Sequence, residues 1–303
     1  MVRALHERAH EHTDEAGHMS HNTSPSAANV TDRSAADLVA ALVAGDVQAV
    51  RERFAGPADI DDPRDGRQID GGLERMVRNW APVTLATLRQ YEVQHVTVGA
   101  GGRFSATEVH FDLERDGARQ DLDVVVVSEF DAGGGLLRCR LYYRLARLTG
   151  VQHQRTRILP EEPVRVEPDL PGMEAYQRTL RAGDAEGMTA TFTDDAVFDG
   201  HGESHDLRDA VGMGRFAGRD EIRGVLTQMF DIADEEASHS GDGRNGIILE
   251  KLNMFNDGTT TVVEFNIIHK NHPVNRVSAG VAAYELDSTG GRLVSARIYD
   301  EAW

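Results

Sequence analysis

Two stretches of this chain read alike. "DLVAALVAGDVQAVRERFAGPADIDD", from Asp37, and "EAYQRTLRAGDAEGMTATFTDDAVFDG", from Glu174, share landmarks at one constant spacing of 138 residues. Leu42 matches Leu180, Ala44-Gly45-Asp46 matches Ala182-Gly183-Asp184, and Phe54 matches Phe192. A single offset over several landmarks marks a duplication, so whatever fold serves one copy must also serve the other. With 303 residues, 40% of them hydrophobic, the chain can fill two cores of ordinary size.

Within the first copy, Leu38, Leu42, Val43, Val47, Val50 and Phe54 fall near helical spacing around the Gly45-Asp46 break, which predicts a helix, a turn and a second short helix. "DGGLERMVRNWAPVTL" continues the helical pattern. Four β-rich runs follow: "YEVQHVTVG", "RFSATEVHFDLER", "RQDLDVVVVSEF" and "LLRCRLYYRLARL", separated by Gly-rich or Asp/Gly turns suited to hairpins. The second copy repeats the order with a helix after Gly218 and the runs "NGIILEKLNMF", "TTTVVEFNIIHK", "RVSAGVAAYEL" and "RLVSARIYDEAW". Helices first and antiparallel strands afterwards give an α+β fold in each half.

The segments outside the copies differ in kind. Residues 1–33 hold five histidines and few large apolar residues, and are read as a disordered tail, because so little surface can be buried to offset chain entropy. His6 and His10 share a helical face there, but a mobile leader is the plainer reading. "PEEPVRVEPDLPG" sets four prolines between Pro160 and Pro171, which predicts a semi-stiff linker over 151–172. The halves are accordingly placed at 34–150 and 173–303.

Charge and cysteine content exclude several classes of partner. The 50 acidic against 32 basic residues give −18, which repels phosphate backbones and anionic membrane surfaces. No run approaches the roughly 18 apolar residues needed to span a bilayer, and the N-terminus lacks the apolar core of a signal peptide. Cys139, the single cysteine, has no partner for an internal disulfide and is compatible with a reducing cytoplasm. Neither nucleic acid nor membrane is expected as a partner.

The helix-AGD-helix-Phe run, the Asp61-Asp62-Pro63 strand end and the closing "GGRLVSARIYD" resemble the nuclear transport factor 2-like superfamily, in both halves. That superfamily includes ketosteroid isomerases, SnoaL-like polyketide cyclases, scytalone dehydratase and limonene epoxide hydrolase. The resemblance implies a tandem duplicated, cone-shaped, curved antiparallel sheet with helices over its concave face. It also implies a hydrophobic small-molecule ligand, acid/base chemistry and no organic cofactor. It does not select a reaction, since one fold hosts many chemistries.

In the isomerases a catalytic aspartate stands eight residues after the aromatic landmark and immediately before proline, the place of Asp62 relative to Phe54. Period-2 alternation sets Ala58, Ile60 and Asp62 on one face and Asp59 and Asp61 on the other. A carboxylate at the edge of an apolar interior has its charged form disfavoured and accepts protons more readily. Asp62 is thus the candidate base, and the alternative is a turn cap shared with Pro63 and Arg64.

Departures from the resemblance are equally specific. The isomerases' oxyanion-binding tyrosine corresponds to Leu38 in the first half and to Tyr176 in the second, whereas the aspartate position of the second half falls on Gly200, with Asp199 out of phase. The family's second acid falls near Val126 and Ala282, both apolar. Neither half holds the full isomerase set, so steroid isomerisation is not expected.

The second half offers Tyr176 with His201, or with Asp300, as its acid/base candidates, Asp300 sharing a strand face with Ala296 and Ile298. Strand termination is the plainer reading of Asp300. His201, Glu203 and His205 alternate as metal ligands on a strand would, but a Gly-containing loop is preferred and no metal is assigned. Ile60, Val126, Tyr143, Phe198 and Ile298 are the expected ligand-lining residues. Cys139 reads as a buried hydrophobe, and "GAGGRFS" as a hairpin turn. Two functions remain: a cofactor-independent cyclase, isomerase, dehydratase or epoxide-opening enzyme, or a non-catalytic ligand-binding or scaffold protein. In the second, the two cones pair through their sheets as an intramolecular pseudo-dimer, and further homo-oligomers are possible.

Overall fold

The computed structural model describes residues 27–63, 65–79, 87–143, 170–201, 214–240, 247–269 and 276–300. His6 and His10, most of the linker, and Glu203 and His205 lie outside them.

The repeated Ala-Gly-Asp has a direct physical cause. Helices α1 (Ala27–Val43) and α4 (Pro171–Ala182) are each followed by a glycine in the left-handed region, Gly45 at φ 71° and Gly183 at φ 66°. A residue with a Cβ is strained there, so glycine ends the helix cheaply. The aspartate that follows caps the next helix: Asp46 accepts from the Ala49 amide at 2.9 Å to begin α2 (Val47–Arg51), and Asp184 from the Gly187 amide at 2.8 Å to begin α5 (Ala185–Ala190). Each satisfies an amide that the helix itself cannot.

Two boundaries differ from the sequence reading. Helix α1 starts at Ala27, inside the segment read as tail. Pro171 and Gly172, read as the end of the linker, lie in the first turn of α4, where the missing N–H of Pro171 costs nothing.

In the first half the strands are β1 (Asp59–Asp62), β2 (Gly66–Ile69), β3 (Thr87–Val98), β4 (Phe104–Arg115), β5 (Ala118–Phe130) and β6 (Leu136–Tyr143), with α3 (Leu73–Asn79) between β2 and β3. The second half carries β7 (Phe192–His201), β8 (Gly214–Ala217), β9 (Ile247–Asn256), β10 (Thr260–His269), β11 (Arg276–Leu286) and β12 (Leu293–Asp300), with α6 (Arg219–Ser240) after β8. The sheet orders are β2-β1-β6-β5-β4-β3 and β8-β7-β12-β11-β10-β9, the same arrangement twice. The chain is therefore a duplicated α+β protein, as expected. Each sheet is a meander except where the first strand of the half lies parallel to the last, Ile60 opposite Cys139 and Phe198 opposite Ala296. These sheets are mixed rather than wholly antiparallel.

Alternation along the strands divides the apolar residues into two inner cores and one shared outer layer. Leu38, Leu42, Ile60, Met76, Val109, Phe111, Val126, Leu141 and Tyr143 belong to the first inner core, and Tyr176, Phe192, Phe198, Ile222, Val263, Ala282 and Ala296 to the second. Ala106, Val125, Val127 and Tyr142 of the first half pack with Leu252, Phe255, Val262, Val281 and Tyr299 of the second. The two sheets thus bury their outer faces against each other.

This layer also buries charge, in a matched pair of clusters. Glu264 on β10 receives Arg140 Nε at 2.5 Å and Nη2 at 2.6 Å, with the Tyr142 hydroxyl at 2.7 Å and Asn253 at 3.0 Å. Glu108 on β4 receives Arg297 Nε at 2.7 Å and Nη2 at 3.0 Å, with the Tyr299 hydroxyl at 2.6 Å. Burial alone raises the Glu264 carboxyl, but the Arg140 guanidinium and the other donors outweigh it and hold the group below its usual range. Arg140 and Arg297 are raised by the same pairings, against the opposing effect of their burial.

Candidate functional site

β1 ends at Asp62 because Pro63 follows and the chain turns back into β2, Asp62 standing opposite Gly66. Its side chain is wholly buried, at 0% exposure, on the face of Ile60. This is the orientation that alternation predicts. The Tyr143 hydroxyl donates to Asp62 Oδ2 at 2.9 Å, and the Asp65 amide donates to Oδ1 at 3.3 Å. Two oxygens of one carboxylate are thereby oriented inside an apolar shell.

Asp59, on the opposite face, has a different occupation. Arg67 holds it through both carboxylate oxygens at 2.8 and 2.7 Å, and Arg138 adds a third bond at 2.8 Å. Burial raises this carboxyl, yet the two arginines carry it below its normal value. One strand of four residues thus presents a charge-paired acid outward and a phenol-paired acid inward.

The other predicted lining residues of the first half also face inward. Ile60, Val126, Cys139, Leu141 and Tyr143 all belong to its inner core. Val126 lies opposite Leu141, and Leu141 is one step beyond the Asp61–Arg140 pairing, in the layer of Asp62. Burial pushes the Cys139 thiol far up, which suits a packed apolar group and not a nucleophile.

In the second half Tyr176 is buried at 2% exposure, and burial first, then Tyr284, raises its phenol well above the normal value. The two phenols are hydrogen-bonded, with ring centroids 4.9 Å apart, while Phe192 packs edge-on against Tyr176 at 5.9 Å. The phenol's partner is therefore Tyr284 from β11, a residue that the sequence reading did not select. Phe198 is buried and Ile298 half-buried in the same core. Gly200 pairs with Ile298, His201 with Tyr299 and Gly280 with Asp300, which places His201 and Asp300 at the ends of their strands. Asp199, out of phase as expected, meets Arg215 at 3.4 Å.

Register makes the halves directly comparable. Asp62 corresponds to Gly200, and Tyr143, opposite Val124, corresponds to Asp300, opposite Gly280. Leu38 corresponds to Tyr176, and Ser128, opposite Cys139, to Tyr284, opposite Ala296. The acid-phenol pair of the first half and the phenol-phenol pair of the second occupy different positions of one framework. Among the described residues no group of three or more His, Cys, Asp or Glu side chains is placed to hold a metal, and no helix is long and apolar enough to cross a membrane.

No family model matches the sequence, and no curated protein matches it. Solved structures do. An NTF2-like protein from Cytophaga hutchinsonii is similar at 12% identity and a TM-score of 0.30, over 46% of this chain and 93% of its own. An LEH-like epoxide hydrolase from M. tuberculosis is similar at 21% identity and a TM-score of 0.31, over 43% of this chain and 80% of its own. A protein with a cystatin-like fold from Xanthomonas campestris is similar at 14% identity and a TM-score of 0.32, over 43% of this chain and 87% of its own. Each spans the equivalent of one half.

Proposed function

We propose that the first half is a cofactor-independent acid/base catalyst acting on a hydrophobic small molecule, with Asp62 as the base. The observation that carries this reading is the fully buried Asp62 carboxylate, turned into an apolar core and oriented by the Tyr143 hydroxyl at 2.9 Å. A carboxylate in such surroundings can take a proton from a carbon acid, or from a water that opens an epoxide. Tyr143 acts as the positioning residue. It holds Oδ2 at 2.9 Å, while the Asp65 amide meets Oδ1 at 3.3 Å.

The reactions that fit are isomerisation, cyclisation, dehydration or epoxide opening, in the interior lined by Ile60, Val126, Leu141 and Tyr143. For the second half we propose a supporting or ligand-holding role. Gly200 removes the acid there, and the buried Tyr176 packs against Tyr284 with ring centroids 4.9 Å apart. Asp300, at the register position of Tyr143, and His201, next to Gly200, are its remaining acid/base candidates.

The test is turnover by the intact chain across epoxides, β,γ-enones, β-hydroxy ketones and poly-β-ketones, with products read by mass spectrometry. At least one class should be converted, and Asp62→Asn should lower kcat by about 10²–10⁴-fold without loss of folding. Tyr143→Phe should lower kcat about tenfold with KM unchanged, the pattern of a residue that orients the base. No turnover of any class by the native protein, or equal turnover by Asp62→Asn, overturns the proposal.

A further inference from the structure

The inner face of the first half holds a second polar group that its own structure leaves unused. On β4, Val109 and Phe111 face the inner core while Ala106 faces the other sheet, so alternation turns Thr107 inward. Thr107 is 0% exposed, and its Oγ1 has no hydrogen-bond partner among the described residues. A buried hydroxyl without a partner is destabilising, and such groups are rare unless something else satisfies them.

The position of this hydroxyl is informative. Thr107 lies opposite Val126, Val126 opposite Leu141, and Leu141 beside Asp62, so Thr107 and Asp62 stand in one layer at opposite sides of the inner face. Three strand steps separate them, roughly 14 Å measured along the sheet at about 4.8 Å per step, and any curvature shortens the direct path.

The second half supplies an internal control. Its residue at the Thr107 position is Val263, opposite Ala282 just as Thr107 is opposite Val126, and it packs in the apolar core. Ser105 is also buried and unpartnered, but its counterpart Thr261 is too, so that hydroxyl is common to both halves. Thr107 is different. The unmatched hydroxyl occurs in the half that has the inward acid, and an isosteric valine occurs in the half that has glycine there.

We propose that Thr107 is a ligand-binding residue, and that the first half takes an elongated apolar molecule with an oxygen function at each end. One end lies at Asp62, and the other is a hydroxyl or carbonyl that hydrogen-bonds Thr107 Oγ1. The inference rests on the Asp62 reading for its first end and on the unpartnered threonine for its second.

The experiment compares two rigid probes, 4,4′-dihydroxybiphenyl and 4-hydroxybiphenyl, by calorimetric titration into the intact protein. The native chain should bind the dihydroxy probe about tenfold more tightly. Thr107→Val should remove that preference, leave the monohydroxy affinity unchanged and raise Tm by about 2 °C or more, since it deletes a desolvated hydroxyl. Thr107→Ser should restore the preference.

Three results overturn the subsite: neither probe binds the native chain, Thr107→Val leaves the preference intact, or Thr107→Val lowers Tm by several degrees, the mark of a structural partner. The two proposals fail separately. If Asp62→Asn keeps full turnover while Thr107→Val loses the preference, only the catalytic reading falls. If Asp62→Asn is inactive and Thr107→Val binds as the native chain does, only the subsite falls.

Discussion

The outer faces of the two sheets carry a matched pair of arginine-tyrosine-glutamate clusters, and their inner faces carry no such match. Outside, Arg140, Tyr142 and Glu108 have Arg297, Tyr299 and Glu264 as counterparts, each half giving its arginine and tyrosine to the other half's glutamate. On the inner face of the first half, Asp62, Tyr143 and Thr107 stand at the register positions that Gly200, Asp300 and Val263 hold in the second. The difference follows from what each face must satisfy. An outer face packs against its own duplicate, so a change on one side leaves a buried partner unpaired on the other. An inner face packs only against helices of its own half and is free to take up different chemistry.

The largest expected effect comes from breaking the matched clusters. Glu264→Ala leaves Arg140 buried without its carboxylate and should cost about 3–5 kcal/mol in urea denaturation. Glu108→Ala should cost less, because Arg297 keeps Glu285 at 3.3 Å and Ser295 at 3.1 Å. Equal costs would mean that the clusters are energetically as alike as they look.

Acid sharpens the same contrast. The folded Glu264 carboxyl is depressed below the 4.5 usual for glutamate, so its contribution is complete above that value and is lost as pH falls through the folded one. Asp59 adds a second such term below its ordinary 3.8. Stability measured from pH 6 downwards should decline below about 4.5, and Glu264→Gln should flatten the upper part of the decline. An unchanged slope in that variant assigns the acid sensitivity elsewhere.

The smallest effects should be equal in the two halves. Asp46→Ala and Asp184→Ala each delete one helix cap and should each cost about 1 kcal/mol in the same denaturation assay. A marked inequality would break the equivalence of the two Ala-Gly-Asp turns.

Much of this architecture is legible in the sequence because it is local. Glycine and aspartate write the turn between the paired helices, and period-2 alternation sets Asp62 on the face of Ile60, while the places of Val126 and Ile298 follow from the resemblance. What escapes is non-local. The strands β2, Gly-Arg-Gln-Ile, and β8, Gly-Arg-Phe-Ala, carry no apolar alternation to mark them. Alternation does not show that Glu108, 1% exposed, meets Arg297 of the second sheet, 189 residues away. Tyr284 is invisible as the partner of Tyr176 for the same reason, since only the fold brings a distant strand onto α4. Thr107 leaves no trace at all: an unpartnered hydroxyl is defined by its surroundings and by no pattern of its neighbours.

The charge clusters also have a bearing on synthesis. Arg297 meets Glu108 across 189 residues, and Arg140 meets Glu264 across 124. A first half emerging from the ribosome must carry the greasy outer surface of Val125, Val127 and Tyr142, with an acid at its centre, until nearly the whole second half has been translated. That interval leaves the outer face of the first half without the sheet that covers it, and Glu108 without the guanidinium that it meets in the finished fold.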